Sequence, residues 1–113
     1  MGIRNLDKTE RTLIKSHEIY FDIEPNYKKL FQELKNRNIS KLYIHFDLDV
    51  LDPNEFPYVK CPEPHGIKIK EAIGIIKILN SDFEIVWKSL TEFTGYKSMQ
   101  LNKIKDILDF MID

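Results

Sequence analysis

The chain is short and close to electrically neutral: its 113 residues carry a formal net charge of −1, and 42% of them are hydrophobic. This size and composition fit a single domain over residues 1–113 with a modest core, and the charge does not favour nucleic acid or an anionic membrane as a partner. The single cysteine, Cys61, excludes an intrachain disulfide framework, and the sequence shows neither a charged-then-apolar leader nor a long apolar span. We therefore expect a soluble protein of the reducing cytoplasm.

The first third of the chain is predicted to form a helix, a strand and a second helix. Asp7 is followed three residues later by Glu10, which is the spacing of a capping box and predicts a helix from residue 7 to about residue 16. The apolar and aromatic density of residues 18–23 is typical of a strand. Between positions 25 and 37 apolar residues recur with helical spacing and predict an amphipathic helix, namely Tyr27, Leu30, Phe31 and Leu34.

The next stretch combines an apolar run with acidic residues and reads Tyr43-Ile44-His45-Phe46-Asp47-Leu48-Asp49-Val50-Leu51-Asp52-Pro53. Such a run predicts a buried strand that delivers carboxylates to its C-terminal end, where open α/β sheets bind ligands. Strand side chains alternate with period two, so Asp47 and Asp49 are expected on one side, close enough to hold one hard cation or a pair. Asp-x-Asp is also common in surface turns, and Asp52-Pro53 is an ordinary turn starter. The uninterrupted strand before the acids favours a site.

Four further elements are predicted in the second half of the chain. Residues 50–67 hold four of the five prolines. Long loops are usually functional or disordered, and this much proline reduces the freedom lost on ordering, so an ordered, functional loop is expected here. An apolar stripe over 69–79 predicts a helix, residues 83–90 a strand, and a stripe over 99–111 a terminal helix. Strands that alternate with helices favour βαβ units and a parallel sheet.

Residues 46–53, followed by Pro57 and by Pro62-Glu63-Pro64-His65-Gly66-Ile67, resemble the signature of the ureohydrolases, the family of arginase, agmatinase and formiminoglutamase. In that family a strand ends in the pattern S-F-D-x-D-x-L-D-P, and the loop after it contains P-x-x-G-T-P and closes on G-G-L. The register matches without a gap. The resemblance implies an α/β fold of three layers, αβα, around a parallel sheet, and this chain looks like only the C-terminal part of it.

The resemblance also implies a chemistry. Asp47 and Asp49 correspond to carboxylate ligands of a binuclear manganese centre, which activates a bridging water for attack on a guanidino or formimino carbon. Glu92, just after the predicted strand 83–90, corresponds to the glutamate that pairs with the cationic nitrogen group of a small substrate. Taken without the family, Glu92 is better explained as a strand-end glutamate in water.

The chain departs from the family pattern at several positions. Cys61 stands at a threonine and His65 at the first of two paired glycines, both in the substrate loop, so the sequence leaves open which of the family's substrates is bound. His45 stands where many members carry serine. It faces the same way as Asp47 and is expected either as a satisfied histidine buried under the sheet or as a partner of the carboxylates.

The family's G-G-D-H and D-A-H-x-D segments, which carry its other metal ligands, do not occur in these 113 residues. One hypothesis is therefore the C-terminal part of a manganese-dependent ureohydrolase, inactive alone and binding manganese weakly or not at all. The alternative is a non-catalytic α/β interaction module with a vestigial metal site. Either way, we expect an N-terminal half or a homo-oligomer to cover an unpaired sheet edge and the apolar stripe at Ile75 and Ile78.

Overall fold

The computed structural model describes residues 6–20, 26–95 and 97–113. In chain order the structure contains helices and strands that we label α1 Lys8–Ser16, α2 Tyr27–Asn36, β1 Lys41–Asp47, α3 Ile69–Asp82, β2 Glu84–Thr91, α4 Ser98–Asn102 and α5 Lys105–Ile112. A short 3-10 turn, Leu48–Val50, follows β1 directly. None of the helices within the described ranges is long and apolar enough to cross a membrane.

The two strands form a parallel sheet, with α3 between them in the chain. Asp47 and Thr91, the last residues of β1 and β2, are register partners, so both strands end at the same edge. Near the other end, Leu42 lies opposite Ile85 and Tyr43 opposite Trp87, so β2 has one extra residue there and forms a bulge. The predicted α/β class with a parallel sheet is confirmed.

The core lies on one face of this sheet, under α3 and α5. Helix α3 contributes buried residues with the spacing of one helical face, Ala72, Ile75, Ile76 and Leu79. The largest fully buried side chains come from the loop after β1 and from the C-terminal region, and they are Phe56, Leu48, Leu51, Ile104 and Ile107. Ile75 is only 5% exposed, so the prediction that it lies uncovered is wrong: the sheet and its neighbouring helices already cover that side of α3.

The opposite face of the sheet is open to solvent in the described part of the chain. Tyr43 is 56% exposed and Trp87, its register partner, is 68% exposed. Parallel sheets are ordinarily covered on both faces. The described residues therefore supply the sheet and one helical layer.

The N-terminal predictions are confirmed in part. Asp7 caps α1, with a complete capping box to Glu10, and α2 occupies the predicted amphipathic segment. The predicted strand 18–23 is wrong for residues 18–20, and residues 21–23 lie outside the described ranges. Glu18 has a φ of 51°, and the N–H of Ile19 donates to the carbonyl of Ile14 at 3.1 Å. These residues close α1 by a Schellman motif, and this local capping overrides their strand propensity.

The terminal helix is predicted as one element and is found as two. Ile104, between α4 and α5, is fully buried and has a φ of −115° and a ψ of 20°, which no regular helix has. The break turns its side chain into the core. In α5, Lys105 and Asp109 form an ion pair one turn apart, and the Asp109 carboxylate raises the pKa of Lys105.

Candidate functional site

The carboxylates at the end of β1 are separated by a change of backbone structure. Asp47 is the last strand residue, and Asp49 lies in the 3-10 turn that follows. The N–H of Asp49 donates to Oδ1 of Asp47 at 3.1 Å, so Asp47 caps this turn. The period-two argument for Asp49 is therefore wrong, because the strand ends at Asp47 and the chain turns to bury Leu48 completely. A shared cleft of the two carboxylates stays a prediction.

Glu92 follows β2 directly, one residue beyond Thr91, the register partner of Asp47. It is half-buried and has a φ of 68°. A left-handed conformation costs a residue other than glycine about 1–2 kcal/mol, and such strain concentrates at functional sites. The sequence correctly placed Glu92 at the carboxyl edge of the sheet, beside the end of β1.

An aromatic cluster holds the backbone on which Glu92 sits. The ring of Phe93 stacks on Phe56 with centroids 6.3 Å apart, and Tyr58 meets Phe56 edge-on at 5.3 Å. The N–H of Thr94 donates to the carbonyl of Tyr58 at 3.0 Å. The segment after β2 is thus attached to the loop after β1, and no sequence pattern links these two segments.

That loop is ordered, as predicted, because its two ends are hydrogen-bonded to each other. Leu51 and Ile67 form a parallel bridge, and the N–H of Asp52 donates to the carbonyl of Ile67 at 2.8 Å. Within the loop, Oε2 of Glu55 accepts the N–H of Ile69, the first residue of α3, at 2.8 Å. A carboxylate at this position satisfies a free donor of the helix and lies at the positive end of its dipole.

Cys61 and His65 both lie exposed on the loop surface. His65 has a φ of 64°, at the position where the family pattern has glycine. His65 therefore has a left-handed backbone conformation, which is strained for histidine and which glycine would adopt without strain. A role of these two side chains in choosing the substrate stays a prediction.

Changing His65→Gly is expected to raise the free energy of unfolding by about 1 kcal/mol, because glycine relieves the left-handed strain at this exposed position. His65→Ala is the matched control, since alanine removes the imidazole and keeps the strain. Urea unfolding of the three proteins measures the effect. An alanine variant as stable as the glycine variant would show that the histidine side chain, and not its backbone, sets the difference.

His45 lies exposed on the open face of the sheet, so the prediction of a buried histidine is wrong. Its Nδ1 lies 2.6 Å from Oγ of Ser89, which also lies 2.7 Å from the hydroxyl of Tyr43. Its Nε2 lies 3.4 Å from Oγ1 of Thr91. His45 thus joins the two strands near their carboxyl ends. Ser89 and Thr91 were missed, because only the register of β1 against β2 shows that they face His45.

The donor set fits only part of a metal site. Carboxylate oxygens are suitable ligands for a hard cation such as manganese, and Asp47 and Asp49 supply two carboxylates near one strand end. Residues 6–20, 26–95 and 97–113 contain no group of three or more histidine, cysteine, aspartate or glutamate side chains that could hold a metal ion. The described chain therefore presents an incomplete ligand set.

Comparison with known proteins identifies the family. The model of the arginase family matches residues 1–95. An arginase of Staphylococcus aureus is 29% identical over 101 residues, which cover 81% of this chain and 33% of that protein. An agmatinase of Halalkalibacterium halodurans is 32% identical over 95 residues, 80% of this chain and 32% of that protein. The chain thus spans about a third of the length of these relatives.

Solved structures give the same fold. The arginase of Helicobacter pylori superposes with a TM-score of 0.80 at 22% identity, over 98% of this chain and 41% of that one. The formimidoylglutamase of Bacillus subtilis superposes with a TM-score of 0.77 at 15% identity, over 95% of this chain and 37% of that one. The predicted partial arginase-like fold is confirmed. Because the family model matches most of its length, the chain belongs to the arginase family.

Proposed function

We propose that this chain supplies the C-terminal part of a manganese-dependent arginase-family hydrolase, which cleaves a guanidino or formimino C–N bond of a small cationic substrate. The observation that carries the proposal is the register of the sheet: Asp47 and Thr91 are partners, so Asp47 and Glu92 leave the sheet at the same edge. Ligands of open α/β sheets bind at this edge. The left-handed backbone of Glu92 supports the same reading.

Each candidate residue has a distinct role in this proposal. Asp47 and Asp49 are ligands of the metal centre, and bound manganese would supply a water of lowered pKa as nucleophile. The Glu92 carboxylate binds and orients the planar cationic group of the substrate through paired, charge-assisted hydrogen bonds. Cys61 and His65 lie on the loop that borders the substrate. The remaining metal ligands come from outside the described residues.

A second candidate function has an observation of its own. The described residues do not contain three clustered metal ligands, and an aromatic sheet face with Tyr43 and Trp87 is open to solvent. Both facts fit a non-catalytic α/β interaction module that has kept the strand-end acids. The two functions predict different roles for Asp47. The enzyme needs its carboxylate for catalysis in the assembled protein, whereas the interaction module needs only the exposed sheet face for association.

The purified chain alone, incubated with Mn²⁺ and arginine, agmatine or formiminoglutamate, is expected to release no urea or formamide above the blank. The reason is the incomplete ligand set: with two carboxylates, most coordination positions fall to water, which leaves both metal and nucleophile poorly held. Colorimetric product assays measure the outcome, with the Staphylococcus aureus arginase as positive control. Robust turnover that disappears in Asp47→Asn would contradict this expectation.

Coexpression with a polypeptide that carries G-G-D-H and D-A-H-x-D segments tests the proposed function itself. The enzymatic function predicts activity that appears only in the complex. It also predicts that Asp47→Asn lowers this activity by more than roughly 10–100-fold, the loss typical when a residue that only hydrogen-bonds to a metal ligand is changed. Glu92→Gln should mainly weaken substrate binding and raise KM. A stable complex without turnover, or turnover that is indifferent to Asp47, favours the interaction module.

A further inference from the structure

The side chain of Lys103 connects the C-terminal helices to the loop after β1. Its Nζ donates to the carbonyl oxygen of Glu55 at 3.3 Å and lies 5.9 Å from the centroid of the Tyr58 ring. An ammonium group within about 6 Å of an aromatic centroid is attracted by the negative face of the ring. We refer to this hydrogen bond and this cation–π contact together as the Lys103 contacts.

The break between α4 and α5 anchors the backbone from which Lys103 reaches the loop. Lys103 follows Asn102, the last residue of α4, and precedes Ile104, which is fully buried. The lysine itself is exposed, but the close-packed side chain of its neighbour holds the backbone at this point against the core. The Lys103 contacts therefore start from a backbone that the core holds in place.

The loop stretch that receives the Lys103 contacts, residues 55–58, also holds the segment that follows Glu92. A ring of this stretch stacks on Phe93. The last carbonyl of the stretch accepts the N–H of Thr94 at 3.0 Å. Residues 55–58 therefore connect Lys103 to the backbone beside Glu92.

The backbone of Glu92 needs such support because its φ is 68°. A strained conformation of this kind persists only where the surrounding structure holds it from several sides. The contacts of Phe93 and Thr94 supply this restraint, and the Lys103 contacts restrain the loop that makes them. We infer that Lys103 is a positioning residue for the Glu92 carboxylate. The inference rests on the proposed function, and Lys103 lies beyond residues 1–95, the segment that matches the arginase family model.

The effect of Lys103 falls on substrate binding. The lysine does not act on the reacting atoms, and its removal leaves the Glu92 carboxylate in the chain. Without the Lys103 contacts the segment beside Glu92 opens more often, so the substrate must order this segment when it binds, which weakens its affinity. A cation–π contact at an exposed site corresponds to a change of about 2–5-fold in an equilibrium constant. We expect KM to rise by this factor and kcat to stay the same.

Amide hydrogen exchange of the chain alone tests whether Lys103 holds the segment. Lys103→Met keeps an unbranched side chain and removes the charge and the donor, so the Thr94 amide should exchange about 2–5-fold faster. The amide of Ile76 in α3 is the internal reference, because a general loss of stability would speed its exchange as well. Lys77→Met, at an exposed position of α3, is the matched control and should change neither amide. Unchanged exchange at Thr94, or equal acceleration at Thr94 and Ile76, would overturn the inference.

Kinetics of the coexpressed complex test whether the segment positions Glu92 for substrate. Lys103→Met should raise KM about 2–5-fold at constant kcat, and Lys103→Arg should restore KM, because arginine keeps the charge and donors and stacks on aromatic rings. A fall in kcat at constant KM, or equal losses in the two variants, would overturn the inference.

The two measurements separate this inference from the proposed function. A complex without turnover would refute the enzyme, and the exchange of the Thr94 amide would then decide by itself whether Lys103 holds the segment beside Glu92. Turnover in the complex together with unchanged Thr94 exchange in Lys103→Met would refute the role of Lys103 and leave the enzyme intact.

Discussion

Changing Gly66→Ala should lower the free energy of unfolding by about 3 kcal/mol, the upper part of the range for overpacked sites. A Cβ at Gly66 would lie 2.3 Å from the carbonyl carbon and oxygen of Leu51 and 2.5 Å from the nitrogen of Asp52. These are backbone atoms, and Asp52 donates the hydrogen bond to Ile67 that closes the loop. A side chain at this position must therefore open the loop, which no rotamer change can avoid.

Gly74→Ala is the matched control for Gly66→Ala. An added Cβ at Gly74, in the middle of α3, meets no atom within 4 Å. Alanine there should raise the free energy of unfolding by about 0.5–1 kcal/mol, because alanine loses less backbone conformational entropy than glycine when the helix forms. Urea unfolding monitored by circular dichroism compares both variants with the parent chain. Equal midpoints for the parent and Gly66→Ala would show that the loop can move away from residue 66 at little cost.

Changing Phe56→Ala should cost about 3–5 kcal/mol, as expected for an aromatic side chain removed from a well-packed core. Phe56 is fully buried and contacts the rings of Tyr58 and Phe93. The loss is large against the 5–15 kcal/mol that stabilise a typical domain. Because Phe93 adjoins Glu92, the variant should also release the backbone that holds this candidate substrate-binding carboxylate.

Trp87→Ala provides the control for Phe56→Ala, since Trp87 is equally aromatic and 68% exposed. Its removal should change the stability of the isolated chain by no more than about 0.5 kcal/mol. Thermal and urea unfolding, with hydrogen exchange at residues 92–94, measure both effects. A loss of stability in Trp87→Ala as large as in Phe56→Ala would mean that the open sheet face is covered in solution.

Sequence patterns predicted the elements whose signals are local. The capping box of Asp7 and Glu10 and the apolar stripe of α3 depend on residues three or four apart, and the structure has both. The failures occur where two local signals compete. Residues 18–20 have the composition of a strand, but they cap the C-terminus of α1. Ile104 continues the apolar stripe of a helix, but its backbone is not helical and its side chain lies in the core.

The candidate site was predictable to the extent that a motif marks it. The motif and the order of elements placed Asp47 and Glu92 at strand ends, and the structure puts these strand ends side by side. The backbone at Asp49 was not predictable from alternation, because the strand ends at Asp47 and the buried Leu48 begins a 3-10 turn. The hydrogen bonds of His45 depend on the pairing of distant segments, which sequence spacing within β1 does not specify.

The hydrogen bond from Ile69 to the carboxylate of Glu55 makes the loop and α3 one cooperative unit. When the loop opens, the first turn of α3 loses the acceptor of its N-terminal N–H, so fraying of the helix and opening of the loop become one event instead of two independent ones. Exchange of the Ile69 amide with solvent then reports how often this loop opens. The loop's own residues include four prolines, which have no amide hydrogen, namely Pro53, Pro57, Pro62 and Pro64. Any ligand that holds this loop closed would slow the hydrogen exchange of the Ile69 amide, and the effect would be transmitted through the side chain of Glu55.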